Sequence, residues 1–149
     1  MTRPLVLAST SRYRHKLLAQ LDLSFVAAAP DFDERTEDHR FAALCAEGFA
    51  LFLAHAKASS LRTSHSDGWI LAADQIVVLP PGDLLHKPET AERAVEQLMH
   101  MSGRQIHLIT GVVLLDAVTG VAHDAVDRHH LTLRAFGRAE AEAYVARHL

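Results

Sequence analysis

The stretch Trp69-Ile70-Leu71-Ala72-Ala73-Asp74-Gln75-Ile76-Val77-Val78-Leu79 is apolar on both sides of one polar pair, Asp74-Gln75. Such a run is typical of a strand that is buried along most of its length. An ionised carboxylate in this setting must be solvated by a cleft, a metal ion or a partner group, so Asp74 is a candidate functional residue at the end of a core element. Structural carboxylates that cap a neighbouring turn also occur at strand ends.

Further strands and helices are predicted on both sides of this central strand. Apolar runs indicate strands, and apolar residues at three- and four-residue spacing behind hydroxyl caps indicate helices. The predicted strands cover residues 5–8, 25–29, 106–115 and 121–133, and the predicted helices begin after residue 11, run over 37–61 and 90–102, and start again near 138. The order predicts an α/β protein, a single domain over residues 1–149 with a mixed, twisted sheet flanked by helices.

Composition narrows the classes of function that the chain can have. It has 149 residues, 49% of them hydrophobic, which is enough to bury one sizeable core. The 15 Lys and Arg residues against 18 Asp and Glu residues give a net charge of -3, the wrong sign for a general nucleic-acid binder. No apolar run approaches the roughly 20 residues that span a bilayer, and no secretory signal is evident, so a soluble cytoplasmic protein without a membrane segment is expected. The single cysteine, Cys45, excludes an internal disulfide and is expected to be a buried thiol.

The turn Ser9-Thr10-Ser11 is followed by Arg12 and Arg14 at the start of a predicted helix. Free backbone N–H groups, hydroxyl donors and guanidinium groups are what an anion site needs, and phosphate is the natural ligand. Hydroxyl residues at helix starts are more often simple caps. The turn therefore predicts either a phosphate site or an ordinary N-cap.

Two of the three lysines have sequence neighbours that are unusual for a surface lysine. Lys57 interrupts an alanine-rich stretch and Lys87 precedes a proline, so both can project a point charge inward, although an isolated lysine is usually a surface residue. Asp33 and Glu34 belong to an acidic loop, which is normally solvated. They gain interest only if they face Asp74 and share a divalent ion with it.

Two other features have competing interpretations. His123, His129 and His130 with Asp124 and Asp127 contain metal-ligand types, but His129 and His130 would point to opposite faces of a strand, which argues against a zinc site. The pair Thr110-Gly111 lies in a strand-like run, where glycine often marks a bulge or the close approach of another group.

Taken together, the motifs resemble the ordered motifs of the Maf family of nucleotide pyrophosphatases, whose fold is also that of inosine triphosphatases. The resemblance covers residues 5–149, and its motifs are Leu7-Ala8-Ser9-Thr10-Ser11 with Arg14, Asp33-Glu34, Ala56-Lys57-Ala58, Ala73-Asp74-Gln75, Lys87-Pro88, Ser102-Gly103 and Thr110-Gly111-Val112. It implies that a nucleoside triphosphate is cleaved to the monophosphate and pyrophosphate.

The resemblance also implies roles for individual residues. Asp74 would be the proton acceptor that activates water, and Glu34 with Asp74 would help to bind a divalent cation, Mg²⁺ or Mn²⁺. The catalytic set would be Asp74, Glu34, Lys57 and Lys87, and the triphosphate would be held by Arg14, Lys57 and Lys87 with Ser9 and Ser11. A homodimer is expected.

Tyr13 and Gln75 are similar to the family branch that acts on 7-methyl-GTP, whereas the branch acting on dTTP and UTP usually has Arg and Thr at these positions. The Tyr13 ring can stack on a cationic methylated guanine, a contact worth about 2 kcal/mol when desolvated, and Gln75 can hydrogen-bond a base edge. The alternative for Tyr13 is packing on the first helix.

The sequence departs from the family pattern at two places. Arg12 stands where proline is usual, and the sequence ends at Arg147-His148-Leu149, where family members continue into further strands and helices. A shortened sheet is expected to leave an exposed edge that pairs with a second chain or lowers stability. A non-catalytic nucleotide-binding or regulatory module is therefore the competing hypothesis. A helix-rich interaction domain is a third, and the set of Lys57, Asp74 and Lys87 weighs against it.

Overall fold

A computed structural model describes residues 2–148 of the chain. Strands and helices follow one another much as the hydrophobic pattern predicts. The strands are β1 (Leu5–Ala8), β2 (Val26–Ala28), β3 (Trp69–Leu79), β4 (Asp83–Leu85), β5 (Gln105–Asp116) and β6 (Ala122–Thr132). The helices are α1 (Arg12–Ala19), α2 (Phe41–Ser60), α3 (Ala91–Met101) and α4 (Arg138–His148), with a 3-10 helix at Glu34–Arg40.

The strands form a mixed sheet in the order β2-β1-β3-β5-β6, and β4 pairs with β3 outside this path. β1 runs parallel to both β2 and β3, whereas β3 and β4 are antiparallel. This confirms the predicted α/β class with a mixed sheet. β4 was not predicted, because Asp83 directly follows Pro80-Pro81-Gly82, a sequence that is typical of a turn. Asp83, Leu84 and Leu85 pair with Leu79, Val78 and Val77, which makes Asp83–Leu85 a strand.

β3 is one continuous strand of 11 residues. The period of two in a strand places Asp74 on the same face as Ile70 and Ala72, both fully buried, and places Gln75 on the opposite face. Asp74 therefore lies in the middle of its strand. The sequence prediction that Asp74 stands at the end of a core element was wrong. The polar pair does not interrupt the strand, because backbone pairing is independent of side-chain polarity.

The chain divides into two compact units, residues 2–75 with 110–127 and residues 76–109 with 128–148. The core of the first unit consists of small and branched side chains from β1, α2, β3 and β5, namely Val6, Ala8, Ala54, Ala58, Leu61, Ile70, Ala72, Val113, Leu115 and Ala117. In the second unit α3 packs on α4 through Ala94, Val95, Ala141 and Val145. A single domain over residues 1–149 remains a prediction.

The helix predicted over residues 37–61 is broken. A 3-10 helix precedes α2, and Cys45 inside α2 has a left-handed φ of 57° with ψ of 174°. A non-glycine residue with this φ interrupts the helical repeat. Cys45 is exposed, and the prediction of a buried thiol was wrong. Gly48 keeps helical backbone angles, although glycine has a low helix propensity.

The helical stretch Glu34–Ser60 is long and apolar enough, by length and hydropathy alone, to cross a bilayer. This corrects the expectation that no such stretch exists. The core helix of a soluble protein passes the same test, and in this stretch Phe49, Ala50, Leu53 and Ala54 are buried within the protein. Length and hydropathy by themselves are weak evidence for a membrane span.

Candidate functional site

The hydroxyl-rich turn between β1 and α1 is held by its own side chains. The Ser9 hydroxyl, which is buried, accepts a hydrogen bond from the backbone N–H of Ser11 at 3.0 Å. The Ser11 hydroxyl in turn accepts from the backbone N–H of Arg14 at 3.4 Å and caps α1. The N-cap interpretation of the turn is thus confirmed, and its binding of phosphate stays a prediction.

Lys57 brings two carboxylates together. It lies on α2, its ammonium group donates to Glu34 Oε2 at 2.6 Å, and it also donates to Asp74 Oδ1. Lys57 and Asp74 are both buried, with 8% and 4% of their surfaces exposed. The surface alternative for Lys57 is therefore wrong. The three side chains come from the 3-10 helix, α2 and β3, and we call them the lysine–carboxylate cluster.

Glu34, and not its neighbour Asp33, takes part in this cluster. Asp33 instead caps the 3-10 helix, and its carboxylate accepts from the backbone N–H of Arg35 at 3.1 Å. Glu34 meets the first part of the condition set by the sequence, because it faces Asp74 through the shared lysine, while a divalent ion shared by the two carboxylates stays a prediction. Half of the Glu34 side chain remains exposed, so the cluster has an open side.

The environment shifts the two carboxylates in opposite directions. Burial raises the pKa of Asp74, and the charge of Glu34 adds to this rise, while the charge and hydrogen bond of Lys57 act against it. Partial burial also acts to raise the pKa of Glu34, but the hydrogen bond and charge of Lys57 outweigh it and hold that pKa below its ordinary value. A carboxylate with a raised pKa beside one with a lowered pKa is a common arrangement for acid–base chemistry.

A groove of about 630 Å³ lies in the first unit, on the α1 side of β3. This volume is within the range of small-molecule sites. The walls are mostly apolar with a few polar groups, and they consist of Leu7, Ser11, Tyr13, Arg14, Leu17, Leu18, Leu21, Leu71, Ala73, Gln75, Thr110 and Val112. Tyr13 has 82% of its surface exposed, so packing on the first helix does not account for its position. Both proposed base-contacting residues, Tyr13 and Gln75, thus line one groove.

Arg14 connects the groove with the lysine–carboxylate cluster. Asp74 and Gln75 leave β3 on opposite faces, so the cluster and the groove lie on different sides of that strand. Arg14 lines the groove, and its positive charge contributes to the lowered pKa of Glu34 and opposes the rise that burial gives to the pKa of Asp74. One guanidinium group therefore acts on both parts of the site.

Two sets of sequence candidates lie elsewhere. Lys87 belongs to the second unit, where it is exposed between β4 and α3, and its role stays a prediction. Within residues 2–148 no three His, Cys, Asp or Glu side chains are placed to hold a metal ion, and the argument against a histidine zinc site stays a prediction. Asp124 pairs instead with His55 at 2.7 Å, and His130 stacks on His107.

Sequence reasoning missed one polar contact in the groove. Gln75 Nε2 donates to the hydroxyl of Thr110 at 2.9 Å. In the sequence Thr110 was singled out only as the neighbour of Gly111. Gly111 does mark a close approach, because a Cβ there would lie 2.6 Å from the backbone of Ala50. The contact could have been suspected from the sequence, because Gln75 of β3 and Thr110 of β5 are polar residues within the apolar runs of two adjacent strands.

The fold and the site together define a class of protein. The family model described as Maf-like protein matches residues 4–148, and the chain belongs to this family. It is 41% identical over 143 residues to a 7-methyl-GTP pyrophosphatase of Pseudomonas putida, covering 96% of this chain and 72% of that protein. It is also 38% identical to the 7-methyl-GTP pyrophosphatase of Bdellovibrio bacteriovorus over 96% of this chain and 72% of that one, and 36% identical to that of Alcanivorax borkumensis over 97% and 71%.

Proposed function

We propose that this chain is a nucleoside triphosphate pyrophosphatase that hydrolyses 7-methyl-GTP to 7-methyl-GMP and pyrophosphate. The observation that carries the proposal is the buried Lys57 bonded to both Asp74 and Glu34, beside a groove of about 630 Å³ that Arg14 lines. Membership of the Maf-like family and the activity named for the three relatives support it.

Asp74 is the general base in this mechanism. It takes a proton from a water molecule, whose oxygen attacks the α-phosphorus of the nucleotide. The bond between that phosphorus and the bridging oxygen to the β-phosphate breaks, and pyrophosphate leaves with the electron pair. A pKa raised by burial makes Asp74 a better proton acceptor than an ordinary aspartate, while the charge and hydrogen bond of Lys57 limit that rise and favour the ionised form.

Cations stabilise the charge that develops on the leaving group. We assign this role to Arg14, which lines the groove, and to Lys57 of the lysine–carboxylate cluster, and the Ser9-to-Ser11 turn opens the helix that carries Arg14. Lys87 is included on the family resemblance alone. Loss of one such contact commonly costs about 3 kcal/mol of transition-state stabilisation.

The residues of the cluster also fit a divalent metal ion. Carboxylate oxygens are the ligands that Mg²⁺ and Mn²⁺ prefer, and Mg²⁺ is usually held by one or two carboxylates together with substrate phosphates. Glu34 and Asp74 supply two such carboxylates. The ion, when bound, would neutralise phosphate charge.

The base of the substrate is assigned to the groove. Tyr13 offers an exposed ring that can stack on the cationic 7-methylguanine, and Gln75 offers an amide to its edge. We further propose that the protein is a cytoplasmic homodimer that binds neither nucleic acid nor membranes. The net charge of -3 supports the absence of nucleic-acid binding.

The test is release of pyrophosphate by the purified chain with Mg²⁺ or Mn²⁺, comparing 7-methyl-GTP with GTP, dTTP and UTP. We expect selective release from 7-methyl-GTP. If folded protein binds nucleotide but releases pyrophosphate from none of them, the chain is the non-catalytic binding module and the proposal is wrong.

Asp74→Asn should lower kcat by at least about a hundredfold, because a general base of this kind contributes 10²- to 10⁴-fold. Nucleotide binding should persist, since Asn keeps the size of the side chain. Asp22→Asn, at an exposed turn residue, is the matched control and should retain full activity. Normal turnover by Asp74→Asn would exclude Asp74 as the base.

A further inference from the structure

The Gln75 amide bonds to Thr110 through its nitrogen in the structure, which leaves its oxygen as the end available to the groove. An amide carries two donors on its nitrogen and an acceptor on its oxygen, and the two ends recognise opposite kinds of partner. Gln75 Nε2 donates to Thr110 Oγ1 at 2.9 Å. Since the amide group is planar, Oε1 lies on the other side, and within residues 2–148 no hydrogen bond engages it.

Thr110 is itself held in place by the packing of its neighbour. Gly111 lies so close to α2 that a Cβ on it would be 2.6 Å from both the carbonyl carbon and oxygen of Ala50 and 2.7 Å from the nitrogen of Leu51. β5 therefore cannot shift toward α2 at this point, and interiors packed at such distances resist displacement. The Thr110 hydroxyl is a fixed support for the exposed Gln75 side chain.

An outward-facing Oε1 selects for donors on the base. The Watson–Crick edge of guanine presents N–H donors at N1 and at the exocyclic N2, whereas adenine presents an acceptor at N1. Methylation at N7 gives the guanine a positive charge, and hydrogen bonds from a charged donor are roughly twice as strong as neutral ones. A fixed acceptor in the groove thus favours 7-methylguanine over guanine, and guanine over adenine.

We infer that Thr110 is a positioning residue for substrate specificity, which holds the Gln75 amide with Oε1 toward the groove so that it accepts from the N1–H and N2–H edge of a cationic guanine. This inference rests on the proposed function, because it assumes that the groove takes the base. It assigns Thr110 no contact with the reacting phosphates.

The experiment measures kcat/KM for 7-methyl-GTP, GTP and ATP with Thr110→Val and Thr110→Ser. Val keeps the shape of threonine without its hydroxyl, and Ser keeps the hydroxyl. For Thr110→Val we expect the preference for 7-methyl-GTP over GTP to fall about fivefold, the size set by one ordinary hydrogen bond, with the change mainly in KM. Thr110→Ser should keep the wild-type preference.

A double-mutant cycle separates positioning from a general structural effect. In a Gln75→Ala background, Thr110→Val should leave the substrate preference unchanged, because its effect passes through Gln75. An unchanged preference in Thr110→Val, an equal loss in Thr110→Ser, or a further loss in the Gln75→Ala background would each overturn the inference. Thermal unfolding of every variant, with Thr110→Ala as a second hydroxyl-free variant, identifies misfolding.

The same variants distinguish a failure of the inference from a failure of the proposed function. If wild-type protein releases pyrophosphate selectively but Thr110→Val keeps that selectivity, only the role of Thr110 is wrong. If wild-type protein releases none, the proposed hydrolysis is wrong. In that case the inference on Thr110 is tested by binding. We expect Thr110→Val to lower the preference for 7-methyl-GTP over GTP, measured as the ratio of their Kd values, by about fivefold.

Discussion

Lys57 opposes the effect of burial on the two carboxylates that contact it. Its charge lowers the pKa of Glu34 outright and limits the rise that burial gives to the pKa of Asp74. Burying a lysine charge without a partner costs free energy, and pairing of Lys57 with the two carboxylates offsets part of that cost. At the scale of single residues, the site depends on this three-way pairing.

The pH dependence of kcat/KM should respond to Glu34 in a defined direction. Asp74 acts when ionised, so activity is lost as pH falls through its pKa. The charge of Glu34 raises that pKa. Glu34→Gln removes the charge, which lowers the pKa of Asp74 and should move the acid limb of the profile to lower pH.

The measurement is kcat/KM from about pH 4 to about pH 8, whose acid limb reports the essential base of the free enzyme. Glu37→Gln is the matched control, because Glu37 lies on the same 3-10 helix but pairs with Arg40 at 2.5 Å. Its acid limb should remain where it is in the wild type. An acid limb that moves upward in Glu34→Gln would contradict the assignment of Asp74 as the base.

At the scale of secondary-structure elements, the fit between α2 and β5 depends on a glycine. α2 carries Lys57 and β5 carries Thr110, and the two elements are in contact where Gly111 faces the backbone of Ala50. No side chain fits between them at this point. This contact sets the distance between the helix of the lysine–carboxylate cluster and a strand of the groove.

Gly111→Ala should destabilise the protein by about 1–3 kcal/mol, the usual cost of overpacking, because the added Cβ would meet backbone atoms that cannot rotate away. Gly82→Ala is the control, since a Cβ there meets nothing within 4 Å. Its stability should change by less than about 1 kcal/mol. Urea unfolding measures both, and equal stability of the two variants would contradict the close approach seen at Gly111.

At the scale of the whole chain, an ion pair joins residues that are 113 positions apart. Arg3 donates to Asp116 Oδ1 at 2.6 Å and to Oδ2 at 3.0 Å, and it also donates to the carbonyls of Asp67 and Gly68. The Arg3 hydrogen bond holds the pKa of Asp116 well below its usual range, with help from the backbone N–H groups of residues 118 and 119. The start of the chain is thereby fixed to the end of β5.

This pair predicts how stability depends on pH. A carboxylate with a lowered folded-state pKa contributes stability above its unfolded pKa, and that contribution is lost as pH falls below about 4. Arg3→Met should therefore lower stability at neutral pH and make the loss of stability in acid less steep. Arg93→Met, which removes an exposed pair with Glu89 at 3.1 Å, is the control.

Chemical unfolding from about pH 3 to about pH 7 gives both slopes, since the pH dependence of stability reports the difference in bound protons. The control should follow the wild-type curve, because exposed pairs of this kind contribute little. Parallel curves for Arg3→Met and the wild type would mean that Asp116 owes its lowered pKa to its backbone partners alone.

The sequence by itself determined the α/β class, most of the strands and helices, and the identity of the motif residues. Apolar runs and helical spacing are local signals, and they placed β1, β3, β5 and α4 within a few residues. The motifs in order also indicated the family, which the family model confirms. These features can be predicted from the sequence because each depends on residues that are close together along the chain.

Only the tertiary structure decided which of those residues act together. It joined Lys57 to Glu34 and Asp74 across 23 and 17 positions, selected Glu34 over Asp33, and paired Gln75 with Thr110. It also exposed Cys45 at a break in α2 and placed Asp74 in mid-strand. The physical reason is that burial, charge pairing and close approach are set by groups that meet in space, and sequence periodicity does not record which distant groups those are.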